Sequence, residues 1–271
     1  MTLAKFGVEA KKSFGQHFLH DPAVLNMIVQ EAEISSSDVI VEIGPGTGAL
    51  TDLLVAKKPK QLLLIERDPT LIAELEKKYA HYAFVFIVPQ DVLTYRMPED
   101  IKEYKVVANI PYYVTSAIIK KFLLDEIVPP ERMVLLVQKE VAEKATQVAP
   151  KATSFGTFIQ FCTDPELVAE VSRNSFTPPP KVDSAILVMK RKNTLLSRKT
   201  RKKMLSMVER AFASGRKKLL NTLDIPRDMF TKYGIQNDTL RSLLERRPEE
   251  LSLKDWQFLM TSLYHEQEHS T

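Results

Sequence analysis

The feature that most constrains this chain is a strict alternation, from residue 38 onward, of short apolar runs with helical patterns. Residues 39–43, 61–66, 84–88, 105–108 and 132–138 are β-branched or aromatic-rich and apolar almost throughout, as buried parallel strands are. The segments between them, such as 69–79 and 115–125, place apolar residues at i, i+3 and i+4. Pro69 suits a first helical turn, and Asp68 before it is an expected N-cap. Strand–helix alternation of this kind requires a parallel sheet flanked by helices. Two further strands, 166–172 and 184–190, have no helix between them and read as an antiparallel pair closing the sheet edge.

After Lys192 the texture changes. Residues 198–212, 216–223, 226–233 and 253–264 are helical patterns with no strand candidates, so a boundary is expected near 190–197. This gives an α/β domain over 1–192 and a small all-helical domain over 193–271. Residues from about 265 are expected to fray. The charge follows the same division. Of 38 basic and 34 acidic residues, twelve and one respectively fall between 190 and 223, leaving 26 and 33 elsewhere. An acidic body of net −7 beside a one-sided basic segment is the pattern of a polyanion-binding surface.

Several classes are excluded on composition. No run of 18 apolar residues is present, so no membrane-spanning helix is expected. The first twelve residues lack the apolar core and cleavage site of a secretory signal, and a single cysteine, Cys162, excludes an internal disulfide. A cytoplasmic protein is the expectation, and a monomer. The five histidines, His17, His20, His81, His265 and His269, show no metal-ligand spacing, and no metal site is expected.

The first long strand runs directly into Gly44-Pro45-Gly46-Thr47-Gly48, followed by a helix from about Ala49. Glycines at such a turn let the backbone approach a ligand closely. Glu66 ends the next strand, placed to accept from ribose hydroxyls, and Asp91 follows the third, placed to accept from an adenine amine. Three consecutive strand ends carrying Gly, Glu and Asp describe a pocket for an adenosine-containing cofactor. Glu42, just before the turn, would repel a pyrophosphate and suit a sulfonium and an ammonium, which favours S-adenosylmethionine over a nicotinamide.

The next strand ends in Asn109-Ile110-Pro111-Tyr112. Pro111 has no N–H to continue a ladder, which leaves its neighbour's carbonyl unclaimed, and Asn109 offers a side-chain carbonyl. Together they can accept both hydrogens of an aromatic amine while Tyr112 stacks on the base. Neither a general base nor a metal is required, because a methylated aromatic amine sheds its proton to solvent.

These residues carry a resemblance. Lys11-Lys12-Ser13-Phe14-Gly15-Gln16-His17-Phe18-Leu19, Glu42-Ile43 with the glycine turn, Asn109 to Tyr112, and Phe176-Thr177-Pro178-Pro179-Pro180-Lys181-Val182-Asp183-Ser184 occur in that order. The chain resembles the ribosomal RNA adenine dimethyltransferases of the KsgA type, relatives of the erythromycin-resistance methyltransferases, over essentially its whole length. The resemblance implies a Rossmann-like class I S-adenosylmethionine-dependent methyltransferase. It implies N6,N6-dimethylation of two adjacent adenosines near the 3′ end of small-subunit (16S) ribosomal RNA, on a late assembly intermediate of the small subunit.

It also implies roles. His17, Leu19, Gly44, Gly46, Glu66, Asp91 and Asn109 would contact the cofactor. Asn109, Pro111 and Tyr112 would serve the target base, and Phe176 would lie near its other face. Arg201, Lys202, Lys203, Arg216, Lys217 and Lys218 would engage RNA phosphates. The chain departs from the pattern at His17 and Tyr113, where the family often has asparagine, and in the variant basic run Ala213 to Lys218. With a neutral imidazole at position 17, weaker cofactor binding is expected at low pH.

Competing readings have discriminators. An erythromycin-resistance enzyme would act on one adenosine of the large subunit, but the triple-proline run and the extended C-terminal domain favour the small-subunit type. A non-catalytic assembly or transcription factor would not need the Asn109–Tyr112 and Glu66/Asp91 set. A DNA adenine methyltransferase would need a separate base-reading domain.

Overall fold

The runs expected as strands all form strands, but only the central ones find cover on both faces: Val85–Pro89, at one sheet edge, has no buried residue and Phe86 is 45% exposed. In the structure, a computed structural model, residues 17–194, 196–215, 217–223 and 238–264 are described. The chain divides into two compact units, the first comprising residues 1–143 and 165–193.

The first unit begins with a two-residue strand, β1 (Phe18–Leu19), and helix α1 (Pro22–Glu31). Strands β2 (Val39–Ile43), β3 (Gln61–Glu66) and β4 (Val85–Pro89) follow, separated by helices α2 (Ala49–Ala56) and α3 (Pro69–Tyr79). Then come β5 (Lys105–Asn109), α4 (Thr115–Lys120) prolonged by a π-turn over Lys121–Asp125, and β6 (Arg132–Gln138). Helix α5 (Lys139–Thr146) follows, and the later strands are β7 (Thr163–Val171), β8 (Phe176–Thr177) and β9 (Ser184–Arg191).

Seven strands form one sheet in the order β4-β3-β2-β5-β6-β9-β7. Strands β2 to β6 are mutually parallel, and β9 runs antiparallel to β6. The two late strands are neighbours at the sheet edge, as expected, with β7 starting three residues early. Central residues such as Ile40, Val106 and Leu135 are fully buried, which is why these runs lack polar alternation. From β2 the chain winds outward through β3 to β4, then returns to the other side of β2 for β5. That reversal opens a crevice at the carboxyl ends of the strands. Helix α3 is capped as its sequence indicates, the Asp68 carboxylate accepting from Thr70 N at 3.0 Å with Pro69 in the first turn.

The second unit comprises residues 144–164 and 194–271. Its helices are α6 (Ser154–Cys162), α7 (Arg198–Phe212), α8 (Asp238–Leu244) and α9 (Leu253–Tyr264). Fully buried Trp256, stacked on Phe212 at 6.2 Å, marks its core. One crossing between the units, at 193/194, falls within the expected 190–197, and two more, at 143/144 and 164/165, arise because α6 belongs here too. Phe158 and Ile159 of α6 are fully buried, and the helix packs on α7 and α9. Of the helix expected over 216–223, the described residues 217–223 form only a single 3₁₀ turn, Leu219–Asn221. The helix expected over 226–233 lies outside the described residues. Among the described residues no helix is long and apolar enough to cross a membrane.

Candidate active site

The strand register brings the expected residues to one edge of the sheet. Ile43 pairs with Ile65, Glu66 with Pro89 and Asn109 with Leu136, so β2 to β5 end side by side. The glycine turn leaves β2 there, with Gly44, Gly46 and Gly48 all at positive φ. A Cβ on Gly44 would meet nothing within 4 Å, so that backbone faces open space. At Gly48 a Cβ would fall 2.4 Å from the Tyr79 hydroxyl, which donates to the Gly48 carbonyl and to Asp52. The turn is therefore locked from behind and bare in front.

The space in front is a cleft of about 1200 Å³, its solvent-filled mouth included. His17, Leu19, Gly44, Gly46, Glu66, Asp91, Asn109, Pro111 and Tyr112, nine of the residues singled out in the sequence, line it. Glu66 is 7% exposed, and its Oε1 accepts from the backbone amides of Arg67 at 2.8 Å and Asp68 at 2.9 Å. Oε2 has no donor among the described residues and remains available as an acceptor. Asp91 accepts from Leu93 N through Oδ1, and pairs through Oδ2 with Arg67 at 3.0 Å. The same guanidinium donates to the Tyr113 hydroxyl at 2.6 Å, linking the ends of β3, β4 and β5.

Asn109 is oriented by its neighbour. Its Nδ2 donates to the His17 carbonyl at 3.2 Å, and since a carbonyl can only accept, the amide is fixed with Oδ1 turned away. No described residue donates to that Oδ1, nor to the Ile110 carbonyl. His17 Nδ1 lies 2.8 Å from the Pro178 carbonyl and must carry the hydrogen, which leaves Nε2 as the acceptor of the neutral ring. The imidazole stacks on Tyr112, centroids 5.9 Å apart.

Glu42 departs from its expected role. It is 1% exposed, accepts from the Thr51 hydroxyl at 2.7 Å, and burial pushes its carboxyl up to about 8. At neutral pH it keeps its proton, and so does not supply the charge discrimination read from the sequence.

This cleft matches a family. Residues 7–256 fit the model for ribosomal RNA adenine dimethylases. The chain belongs to this family. Among its curated relatives is a ribosomal RNA small subunit methyltransferase A of Bacillus cytotoxicus, 37% identical over 96% of this chain and 93% of the relative. The same-named protein of Dehalococcoides mccartyi is 35% identical over 94% and 88%. Of solved structures, the 23S rRNA methyltransferase ErmE is 28% identical with a TM-score of 0.71, over 91% of this chain and 99% of that one. A dimethyladenosine transferase from Plasmodium falciparum, 24% identical over 93% of this chain and 98% of that one, shares the fold with a TM-score of 0.77. The α/β sheet is thus that of a class I methyltransferase.

Not every residue assigned by resemblance to this adenine dimethylase stands at the cleft. Phe176 is 2% exposed, in the core with Leu19, its partner across β1 and β8, and does not line the opening. Arg201 is 1% exposed, its guanidinium donating to the Leu196 carbonyl, and cannot meet a phosphate. Lys202 and Lys217 are exposed, Lys203 is partly buried, and Lys218 pairs with Glu245 at 2.6 Å. Arg216 and residues 11–16 of the first motif lie outside the described residues. Sequence reasoning missed Arg67, and noted Tyr113 only as a departure from the family's pattern, without its hydrogen bond to Arg67. A signal existed, since each directly follows a residue already singled out.

Proposed function

We propose that this chain transfers methyl groups from S-adenosylmethionine to the exocyclic amine of adenine in small-subunit ribosomal RNA. The target would be two adjacent adenosines near the 3′ end of 16S RNA, each dimethylated on a late assembly intermediate of the small subunit. The single observation carrying this reading is Asn109, which lines the cleft with Ile110 and whose amide nitrogen is taken by the His17 carbonyl, leaving Oδ1 as an acceptor. Two acceptors, Asn109 Oδ1 and the Ile110 carbonyl, suit a primary aromatic amine. Accepting both N–H hydrogens favours a pyramidal nitrogen and frees its lone pair for in-line attack. Tyr112 would hold the base by stacking.

The cofactor would supply an electrophilic methyl group. The residues present fit it. The open backbone at Gly44 admits the methionine portion, Oε2 of Glu66 can accept from the ribose, and Asp91 from the adenine amine once Arg67 yields. Leu19 and the acceptor nitrogen of His17 complete the wall. In the second unit, Lys202, Lys203, Lys217 and Lys218, with Arg216, would engage phosphates and position the RNA without reading sequence. Arg201 and Phe176 support their cores instead.

The relatives named for the small subunit, at 35–37% identity, favour this substrate over the large subunit named for ErmE. The test is methyl transfer from labelled S-adenosylmethionine to unmethylated small subunits, with large subunits in parallel and nucleosides identified by mass spectrometry. Dimethyladenosine in small subunits alone is expected. Label in the large subunit would reassign the substrate, and no label despite tight cofactor binding would point to a non-catalytic assembly factor.

A further inference from the structure

The triple-proline motif ends in Ser184, to which the chemistry above gives no task. Ser184 opens β9, is fully buried, and hydrogen-bonds through Oγ to the Tyr112 phenol. We infer that Ser184 is a positioning residue that sets the plane of the Tyr112 ring against the target adenine. The inference rests on the reading of Tyr112 as the stacking platform.

The geometry makes Ser184 a fixed point. It pairs with Gln138 across β6 and β9, at the end of a continuous antiparallel ladder that runs back to Arg132 and Lys190. The preceding residue is held twice, its carbonyl accepting from Lys139 N at 3.1 Å and its carboxylate from Arg173 N at 3.0 Å. Tyr112, by contrast, lies on a 3₁₀ turn, Tyr112–Val114, outside the sheet. A tyrosine ring has two torsions: holding the phenol oxygen in place restrains χ1, and because a phenol makes its best hydrogen bonds near the plane of its ring, the direction of the Ser184 bond biases χ2. Burial raises the phenol above its usual range, so it stays protonated and serves as a tether. The His17 ring, stacked at 5.9 Å, limits rotation from one side. Without the Ser184 hydrogen bond the ring would sample several orientations, and stacking on a flipped base is sensitive to its plane.

The experiment compares Ser184→Ala, Tyr112→Phe, their double variant and Tyr112→Ala in methyl transfer to small subunits, with cofactor binding by calorimetry and melting in parallel. Each single hydroxyl deletion should lower kcat about fivefold, the worth of one neutral hydrogen bond. The double variant should be no slower than either single, because both deletions break the same hydrogen bond. Cofactor Kd should stay unchanged. Wild-type turnover in both singles, or effects that multiply in the double, would overturn the positioning role. A uniform fall in melting temperature with kcat intact would leave Ser184 a merely structural residue and overturn it equally. If Ser184→Ala does not fold, Tyr112→Phe decides alone, since it removes one oxygen from a half-buried ring. Tyr112→Ala separates the two levels. Retained transfer there would remove the platform itself, whereas abolished transfer with silent hydroxyl deletions would remove only the role of Ser184.

Discussion

Glu42 and Asn109 sit on adjacent strands near the same cleft, yet burial acts on them in opposite ways. The Glu42 carboxyl cannot keep a charge without water, and its folded value of about 8 exceeds the ordinary 4.5. Between those values the folded state binds more protons than the unfolded one, so stability falls as pH rises through that window and levels off above it. Glu42→Gln retains an acceptor for Thr51 and has no proton to lose. Its melting temperature should therefore gain on the parent between about pH 5 and pH 8, and a constant difference across that range would show that Glu42 titrates normally. Asn109 is neutral and loses nothing on partial burial, but its two ends do different work. Asn109→Ala should lower single-turnover methyl transfer by at least about 10²-fold, as removal of a preorganised polar group does. Cofactor affinity, measured by calorimetry, should fall far less, because Glu66 and the glycine turn remain.

At the scale of elements, α7 shows what a charge run conceals. Arg201, Met204, Leu205 and Val208 follow the i, i+3, i+4, i+7 spacing of one helix face, and all four are buried. Periodicity thus marked Arg201 as inward-facing, while composition placed it with the surface lysines. Arg201→Ala should lower the melting temperature of the chain, and Lys202→Ala should leave it unchanged while weakening RNA binding. The reverse result would restore Arg201 as a phosphate ligand. Helix α1 offers a second test. Its cap, Asp21, accepts from Ala23 N at 3.0 Å and from the Ser175 hydroxyl at 2.9 Å, so it ties the helix to the segment before β8. Asp21→Ala should cost about 1–2 kcal/mol in denaturant unfolding at neutral pH. The Ser175 bond holds the Asp21 carboxyl below its usual value. The contribution is present at neutral pH and disappears as pH falls through that depressed value, so parent and variant should converge in acid. The strands legible in the sequence, β2, β3 and β6, are almost continuous apolar runs, and the legible helices, α3, α7 and α9, have a clear period or cap. Helix α6 does not, because residues 156–159, 161 and 162 are all buried and no polar face marks its period. Phe176 was illegible for a related reason. An aromatic before three prolines reads alike whether it meets a base or, as here, fills a core.

At the scale of the whole molecule, charge and chemistry are segregated along the chain. Every residue proposed to hold the cofactor belongs to the first unit, whereas Lys202, Lys217 and Lys218 belong to the second. A ligand bound through phosphates releases counterions on binding, so its affinity falls with salt in proportion to the number of phosphates neutralised. The small cationic cofactor has no such dependence of comparable size. Replacing Lys202, Lys217 and Lys218 by Glu should therefore weaken binding to small subunits and flatten the log–log salt dependence by about two to three, roughly one for each phosphate left unneutralised. Lys218 should contribute least, because its ammonium already faces Glu245, and the single Lys218→Glu variant should fall short of Lys202→Glu. Calorimetric cofactor affinity should be the same in the triple variant and the parent at every salt concentration. An unchanged salt slope for subunit binding would mean that these lysines stay in solvent and that the RNA is held elsewhere.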